Sequence, residues 1–215
     1  MERNFENIIV ESKDGIAKIT LNRPHVLNAL DVATLLELQR ALEGTREDND
    51  IGVVVLTGAG RAFSAGLDLK SLGEQRLEEG NVGDEINRPL RSAIQIMENL
   101  PKPVIGMVNG FCLTGALELI MGCDIIIASE NSKFGDTHVR WGIRPTCGLS
   151  QKLPRAIGIM KAKELSFTAE MITAREAERI GLINKVVTAE ELESTVETLA
   201  QKILLHTWKN IQGIG

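Results

Sequence analysis

Pro103-Val104-Ile105-Gly106-Met107-Val108-Asn109-Gly110-Phe111-Cys112-Leu113-Thr114-Gly115-Ala116-Leu117-Glu118-Leu119-Ile120-Met121-Gly122-Cys123-Asp124-Ile125-Ile126-Ile127-Ala128 is the most apolar stretch of this 215-residue chain. How it breaks up decides the fold. Asn109, Glu118 and Asp124 interrupt it and glycine recurs throughout, whereas a membrane span needs about 20 consecutive apolar residues. It divides instead into a buried strand, Val104 to Val108, a glycine loop, a helix from near Gly115 to Met121, and a second strand, Asp124 to Ala128.

The same cycle extends in both directions. Upstream, Leu90, Ile94 and Met97 mark a helix closed by Pro101 and Pro103, and Val53 to Thr57 is a short, fully apolar strand. Val32, Leu35, Leu38 and Leu42 form a helix face expected to end at Gly44. Ile8 to Ser12 and Ile16 to Leu21 flank Lys13-Asp14-Gly15, a hairpin signal. Downstream, Thr173-x-x-Glu176 and Thr188-x-x-Glu191 are capping boxes for two further helices, the first closed by Gly181. The last helix is expected from Ala189 to about Leu205, and its stripe Leu192, Val196, Leu199 and Ile203 needs a partner surface. Met107, Met121 and Met160 are expected to fill the core. Strands alternating with helices, with no linker or charge run between them, give one α/β domain with covered sheets. No sequence repeat is evident.

Composition removes several function classes. There are 24 Lys+Arg against 29 Asp+Glu, a net charge of −5, so the clustered cations that nucleic-acid binding requires are not favoured. Five Phe, two Trp and no Tyr leave little for stacking bases. Cys112, Cys123 and Cys147 are scattered and odd in number, which points to a reducing compartment, and a polar N-terminus without an apolar leader makes cytoplasmic the default expectation. The cysteines lack ligand spacing and His25, His138 and His206 are isolated in sequence, so a metal site has no support.

Two strand ends run into small-residue loops and then helix starts. One is Val53 to Thr57 followed by Gly58-Ala59-Gly60-Arg61-Ala62-Phe63-Ser64-Ala65-Gly66-Leu67-Asp68. The other is Val104 to Val108 followed by Asn109-Gly110-Phe111-Cys112-Leu113-Thr114-Gly115. Small residues there leave backbone N–H groups uncovered, and a helix N-terminus adds the positive end of its dipole, so an oxyanion or phosphate can be held. Two converging donors would make an oxyanion hole. A lone glycine loop is more often a tight turn, but two alike in one chain weaken that explanation. Phe63 breaks a dinucleotide fingerprint, and Ala62-Phe63-Ser64-Ala65-Gly66 departs from a nucleophile elbow at its first position.

Glu118 follows fourteen uncharged residues and sits one turn into a helix. A carboxylate left unpaired among apolar side chains is costly when ionised, so burial is expected to push it towards its neutral form and towards general-acid work. A solvent-facing Glu, or one paired with Arg140 or Arg144, is the ordinary alternative. His138 is a plausible proton-handling partner because a neutral imidazole near physiological pH can give or take a proton, although a histidine in a polar network looks the same from local sequence. Asp124 reads as a structural hydrogen-bonder.

Together these segments resemble the crotonase superfamily, the enoyl-CoA hydratase/isomerase family, over roughly residues 5 to 200. The matching stretches are Leu21-Asn22-Arg23-Pro24 with Leu27-Asn28-Ala29-Leu30, Phe63 to Leu69, Lys102-Pro103-Val104-Ile105 with Asn109-Gly110, Glu118-Leu119 with Cys123-Asp124, and Gly142-Ile143 with Pro145. The resemblance implies a crotonase-like spiral of strand-strand-helix turns, with residues 1–188 as its core and 189–215 as a shortened C-terminal helical segment. It implies an acyl-CoA thioester substrate without a separate cofactor, and an oxyanion hole from the N–H groups of Ala65 and Gly115. It also implies a substrate groove lined by His25, Leu27, Leu67, Asp68, Leu69, Phe111 and Thr114. Two departures stand out. Hydratases of the family carry two glutamates; Glu118 matches the first, but His138 occupies the second position, Asp136 is out of register, and the extra Asp of dienoyl-CoA isomerases is Thr146 here. The family's C-terminal helices also continue beyond Gly215, so self-association into a homo-oligomer is expected through the remaining apolar surface. The first expectation is hydration of a 2-enoyl-CoA by Glu118 and His138. Isomerisation, thioester hydrolysis or decarboxylation on the same fold, and a non-catalytic acyl-CoA-binding subunit, remain open.

Overall fold

The computed structural model describes residues 5–70 and 82–206. Strands β1 (Ile8–Lys13) and β2 (Ile16–Leu21) form the hairpin, and both turn residues, Asp14 and Gly15, take positive φ, as the twist of a tight two-residue turn requires. Helix α1 (Val32–Glu47) starts at Asp31, whose carboxylate accepts the N–H of Thr34. It runs through Gly44 rather than ending there. Its last carbonyls are met instead by Lys102, whose buried Nζ donates to Thr45 O and Asp48 O, placing a cation at the negative end of the helix.

Three turns of strand, short strand and helix follow. They are β3 (Val53–Gly58), β4 (Ala62–Ser64) and α2 (Asp84–Glu98); β5 (Val104–Val108), β6 (Phe111–Leu113) and α3 (Gly115–Ile120); then β7 (Ile125–Ser129), β8 (Lys133–Gly135) and, after a 3-10 turn at His138–Trp141, α4 (Leu149–Ile157). The chain continues as α5 (Ile159–Thr168), β9 (Ile172–Thr173), α6 (Ala174–Arg179), β10 (Lys185–Val187) and α7 (Leu192–Leu205). The first strand of each turn joins a six-stranded sheet, β1-β2-β3-β5-β7-β10, and the second joins a four-stranded sheet, β4-β6-β8-β9. Repeating the three-element turn therefore winds the spiral that the resemblance implies.

The apolar runs are continuous because both faces of the larger sheet are covered. On β3, Val54 and Leu56 enter the main core with α1 and α2, while Val53 and Val55 face the other way. On β5, Ile105 and Met107 join that second cluster, and its cover is α7, through Leu192, Val196 and Ala200 with Leu199 and Ile203 packed beside them. The stripe on the last helix thus finds its partner in the chain's own sheet and gives no ground for self-association. This helix begins at Leu192, three residues after Ala189, because the Thr188–Glu191 box closes the preceding turn, with Glu191 N–H on Thr188 Oγ1. Residues 207–215 of the expected C-terminal segment lie outside the described residues. Met107 is buried and Met121 half-buried, but Met160 is 77% exposed: it faces outward from α5, whose buried side carries Ala162 and Leu165. Asp124 precedes β7 and accepts the N–H of Val104, joining the two ends of the α3 turn.

Candidate active site

The spiral stacks the β4 and β6 ends on one another, and this brings the two glycine loops together. Asn28 is the anchor of the first. Buried and at positive φ, it sends Nδ2 to Ala59 O and Ala62 O while its Oδ1 accepts the N–H of Arg23. That network holds Leu27, and Leu27 O accepts the N–H of Ala65 at 3.0 Å. Leu30 and Asp68 brace the loop further, Leu30 N–H to Gly66 O and Asp68 N–H to Leu30 O. Ser64 is fully buried and its hydroxyl accepts the N–H of Gly66, so it serves the turn rather than standing as a nucleophile.

This geometry corrects the expected donor pair. The Ala65 N–H is engaged by Leu27 O, whereas the N–H of Leu67, just past the positive-φ Gly66, has no acceptor among the described residues. The N–H of Gly115, first in α3, likewise lacks one, as the first turn of any helix leaves its donors open. The two lie close: a Cβ placed on Gly115 would be 3.5 Å from Leu67 N and 3.0 Å from Leu67 Cγ. Glycine at 115 keeps the space between the two donors clear. The sequence signal for Leu67 was its position immediately after a glycine at the turn.

Glu118 lies one turn further into α3 and is 1% exposed. Its Oε1 accepts the N–H of Cys147 at 2.7 Å, and its Oε2 lies 3.6 Å from His138 Nε2. The carboxylate is therefore partnered, by the His138 that the sequence offered and by a backbone N–H it did not, and not by Arg140, whose Nη2 donates to Ala169 O. His138, 3% exposed, is held from behind by Asp136, with Oδ1 at 2.6 Å from Nδ1. Burial opposes the charged imidazole, but the Asp136 hydrogen bond and the Glu118 contact outweigh it and push His138 up to about 9. Burial likewise opposes charge on Asp136, yet bonds from His138 and Ser166 hold its carboxyl below the ordinary aspartate value. Sequence reasoning set Asp136 aside for its register. The signal was local: Asp at i and His at i+2, the spacing at which an Asp side chain also reaches the backbone N–H of residue 138, here at 3.5 Å.

A cleft of about 470 Å³ opens beside these groups, lined by Leu27, Leu67, Leu69, Thr114, His138 and Ile143 among others. His25, Arg61 and Lys70 stand exposed along it, and Asp68 is paired with Arg23 at 3.1 Å. Of the expected groove residues, His25, Leu27, Leu67, Asp68, Leu69 and Thr114 line this cleft. Phe111 does not: it begins β6, paired with Ala62 and Lys133, and three extended residues, roughly 10 Å, separate it from Thr114 at the cleft. Trp141, Ile143, Arg61 and Lys70 line it without having been singled out. Among the described residues no group of His, Cys, Asp and Glu side chains is arranged to hold a metal ion, and no helix is long and apolar enough to cross a membrane.

A family model described as enoyl-CoA hydratase/isomerase matches residues 11–212. A short-chain-enoyl-CoA hydratase of Clostridium acetobutylicum is 44% identical over 209 residues, covering 95% of this chain and 77% of its own length. A probable peroxisomal enoyl-CoA hydratase 1 of Arabidopsis thaliana is 42% identical over 97% of this chain and 76% of its own. The crystal structure of an enoyl-CoA hydratase from Bacillus anthracis superposes with a TM-score of 0.91 at 38% identity, over 96% of this chain and 80% of that one.

Proposed function

That the chain belongs to the enoyl-CoA hydratase/isomerase family is the premise from which we propose how its own residues add water to a 2-enoyl-CoA thioester. The N–H groups of Leu67 and Gly115 receive the thioester oxygen, which becomes negative as water attacks Cβ. One of Glu118 and His138 takes a proton from that water while its oxygen bonds to Cβ. The C=C electron pair moves into the enolate, and the other group gives a proton to Cα as the enolate collapses back to the thioester. Passing the proton between Glu118 Oε2 and His138 Nε2 restores the starting state, so the sum is one water added. Leu27, Leu69, Thr114 and Ile143 accept the acyl-pantetheine portion, and His25, Arg61 and Lys70 lie where the phosphates of CoA would run.

The observation that carries this reading is the 3.6 Å between Glu118 Oε2 and His138 Nε2. Hydration needs two proton-handling groups on one face of the double bond, and the second family glutamate is absent. The test is incubation with crotonyl-CoA in H₂¹⁸O followed by mass spectrometry: label at Cβ of a 3-hydroxyacyl product supports hydration. Migration of the double bond with 3-enoyl-CoA, or release of free CoA, without hydroxyacyl product would overturn it. Glu118→Gln and His138→Ala should each lower kcat about 10²–10⁴-fold with little change in KM. The double variant should be little worse than the poorer single, because the two act as one unit.

A further inference from the structure

Three side chains in a row cross the floor of the site: Asp136, His138 and Glu118. Asp136 follows β8, and the Ser166 hydroxyl from α5 helps to hold its carboxyl below the ordinary aspartate value. His138 opens the 3-10 turn, and Glu118 comes from α3. All three are buried, and the outer two differ in what else they touch. Asp136 points one oxygen at His138 Nδ1 at 2.6 Å, at the short end for a charge-assisted bond, while Glu118 stands off from Nε2 at 3.6 Å and gives its other oxygen to a backbone N–H. The imidazole is tied tightly at its back and loosely at its front.

We propose that Asp136 is a positioning residue that assigns the two roles: by accepting Nδ1–H it makes His138 the acid that protonates Cα through Nε2, and leaves Glu118 as the base that takes the proton from water. This rests on the Glu118–His138 reading and completes it. An ionised carboxylate can only accept, so Nδ1 must carry hydrogen throughout the cycle, and the proton that leaves and returns is the one on Nε2. After transfer to Cα the ring is neutral with Nε2 as acceptor, facing Glu118 Oε2, which by then holds the proton from water. The proton crosses from Oε2 to Nε2 and the imidazolium is restored. No other oxidant, reductant or base enters.

The charges facing His138 come from two elements, Asp136 from the loop after β8 and Glu118 from α3. Arg140, on the same turn, is directed to Ala169 O. Cys147, beside Glu118, is held up to about 11 by burial and adds no charge at neutral pH, and Arg91 acts on that thiol. Removing the Asp136 charge should therefore lower the His138 pKa, as losing an opposite charge at this range shifts a group by about 1–3 units.

The decisive measurements are a ¹⁵N NMR titration of the histidine rings, with His138 assigned through His138→Gln, and pH–kcat profiles. In the native protein His138 should titrate near 9, with Nδ1 protonated on both sides of the transition, and kcat should fall as pH rises through that value. Asp136→Asn should move both the NMR midpoint and the alkaline limb of kcat down by about 1–3 units while KM stays near the native value. A two-unit shift would lower the imidazolium fraction at pH 8.5 roughly 25-fold. If Asp136→Asn does not fold, the ¹⁵N titration of the native protein still decides: an Nδ1 that loses its proton on the alkaline side overturns the inference. A His138 ring that titrates below 7 in the native protein, or an alkaline limb unmoved in Asp136→Asn, overturns the inference. If instead His138→Ala itself has native kinetics, the Glu118–His138 reading has failed.

Discussion

The two loops that supply backbone donors achieve the same result by opposite means. The loop from β4, Ala65 to Asp68, is braced: Leu27 O and Leu30 hold it from the side with ordinary hydrogen bonds while the Asn28 side chain fixes Ala59 and Ala62 upstream, and within the loop only Gly66 needs positive φ. The loop from β6 is strained: Thr114 sits at φ 48°, ψ −119°, a region that non-glycine residues rarely enter, and the next N–H is the donor. A braced loop shows which N–H is free only through its bonding partners. A strained loop marks its donor through the backbone itself. The resemblance put both donors at small residues of these loops; Gly115 opens α3 with its N–H uncovered, whereas the first donor was placed two residues early because nothing in the sequence shows Leu27 O beside Ala65.

Within these two loops the largest effects should come from deleting one donor at a time. Replacing the amide at Leu67 by an ester, or Gly115 by Pro, removes an N–H facing the oxyanion, and each should lower kcat about 10²–10³-fold. An ester at Ala65 removes a bond to Leu27 O instead, so it should cost about 0.5–1.5 kcal/mol of stability and leave kcat within a few-fold of native. Circular dichroism and thermal melts accompany the kinetics, since Pro at 115 also perturbs the start of α3. If the ester at Ala65 abolished turnover and the ester at Leu67 did not, the reassigned donor would be wrong.

What the sequence showed and what it hid follow the same division. The apolar runs at 53–57 and 104–108, the Asp14-Gly15 turn and the Thr173 cap are local signals, and the elements formed where they stood. Glu118 announced itself as the first charge after fourteen uncharged residues. Three things were not local. Gly44 looked like a helix end because nothing nearby indicated that Lys102, 58 residues later, would cap the carbonyls beyond it. The stripe on α7 looked unpartnered because its cover is assembled from β3, β5 and β7. Ala65 and Leu67 are alike as sequence, and only the fold that brings Leu27 O beside one of them separates a structural N–H from an open one.

Smaller effects test the place where the loops touch. A Cβ on Gly66 would fall 1.9 Å from Thr114 Oγ1 and 2.8 Å from Leu113 O, at a φ of 100°. Gly66→Ala combines a clash with a disfavoured backbone angle and should destabilise by about 1–3 kcal/mol, read as a lowered Tm. Because the clash falls on Thr114, Gly66→Ala with Thr114→Gly should recover part of the loss. Equal Tm for the single and double variants would mean that the backbone angle and the Leu113 carbonyl, not the Thr114 side chain, require glycine there.

Thr114→Gly alone should have the smallest effect on stability and the most informative one on rate. Relief of an unfavourable φ, ψ pair is worth about 1–3 kcal/mol. Against it stand the added freedom of glycine in the unfolded chain, about 0.5–1 kcal/mol, and loss of the bond from Thr114 Oγ1 to Ala65 O, about 0.5–1.5 kcal/mol. These nearly cancel, so thermal stability should stay within about 1 kcal/mol of native. The rate does not share that cancellation. Thr114 Oγ1 is the link between the braced loop and the strained one, and its N–H is fixed on Gly135 O, so the pair of donors is held as one unit through this residue. With glycine at 114 the unit loosens while both N–H groups remain, and kcat should fall several-fold with an unchanged pH profile, less than deletion of either donor. Native kcat in a folded Thr114→Gly protein would mean that the strain at 114 orients nothing, and that the braced loop alone defines the site.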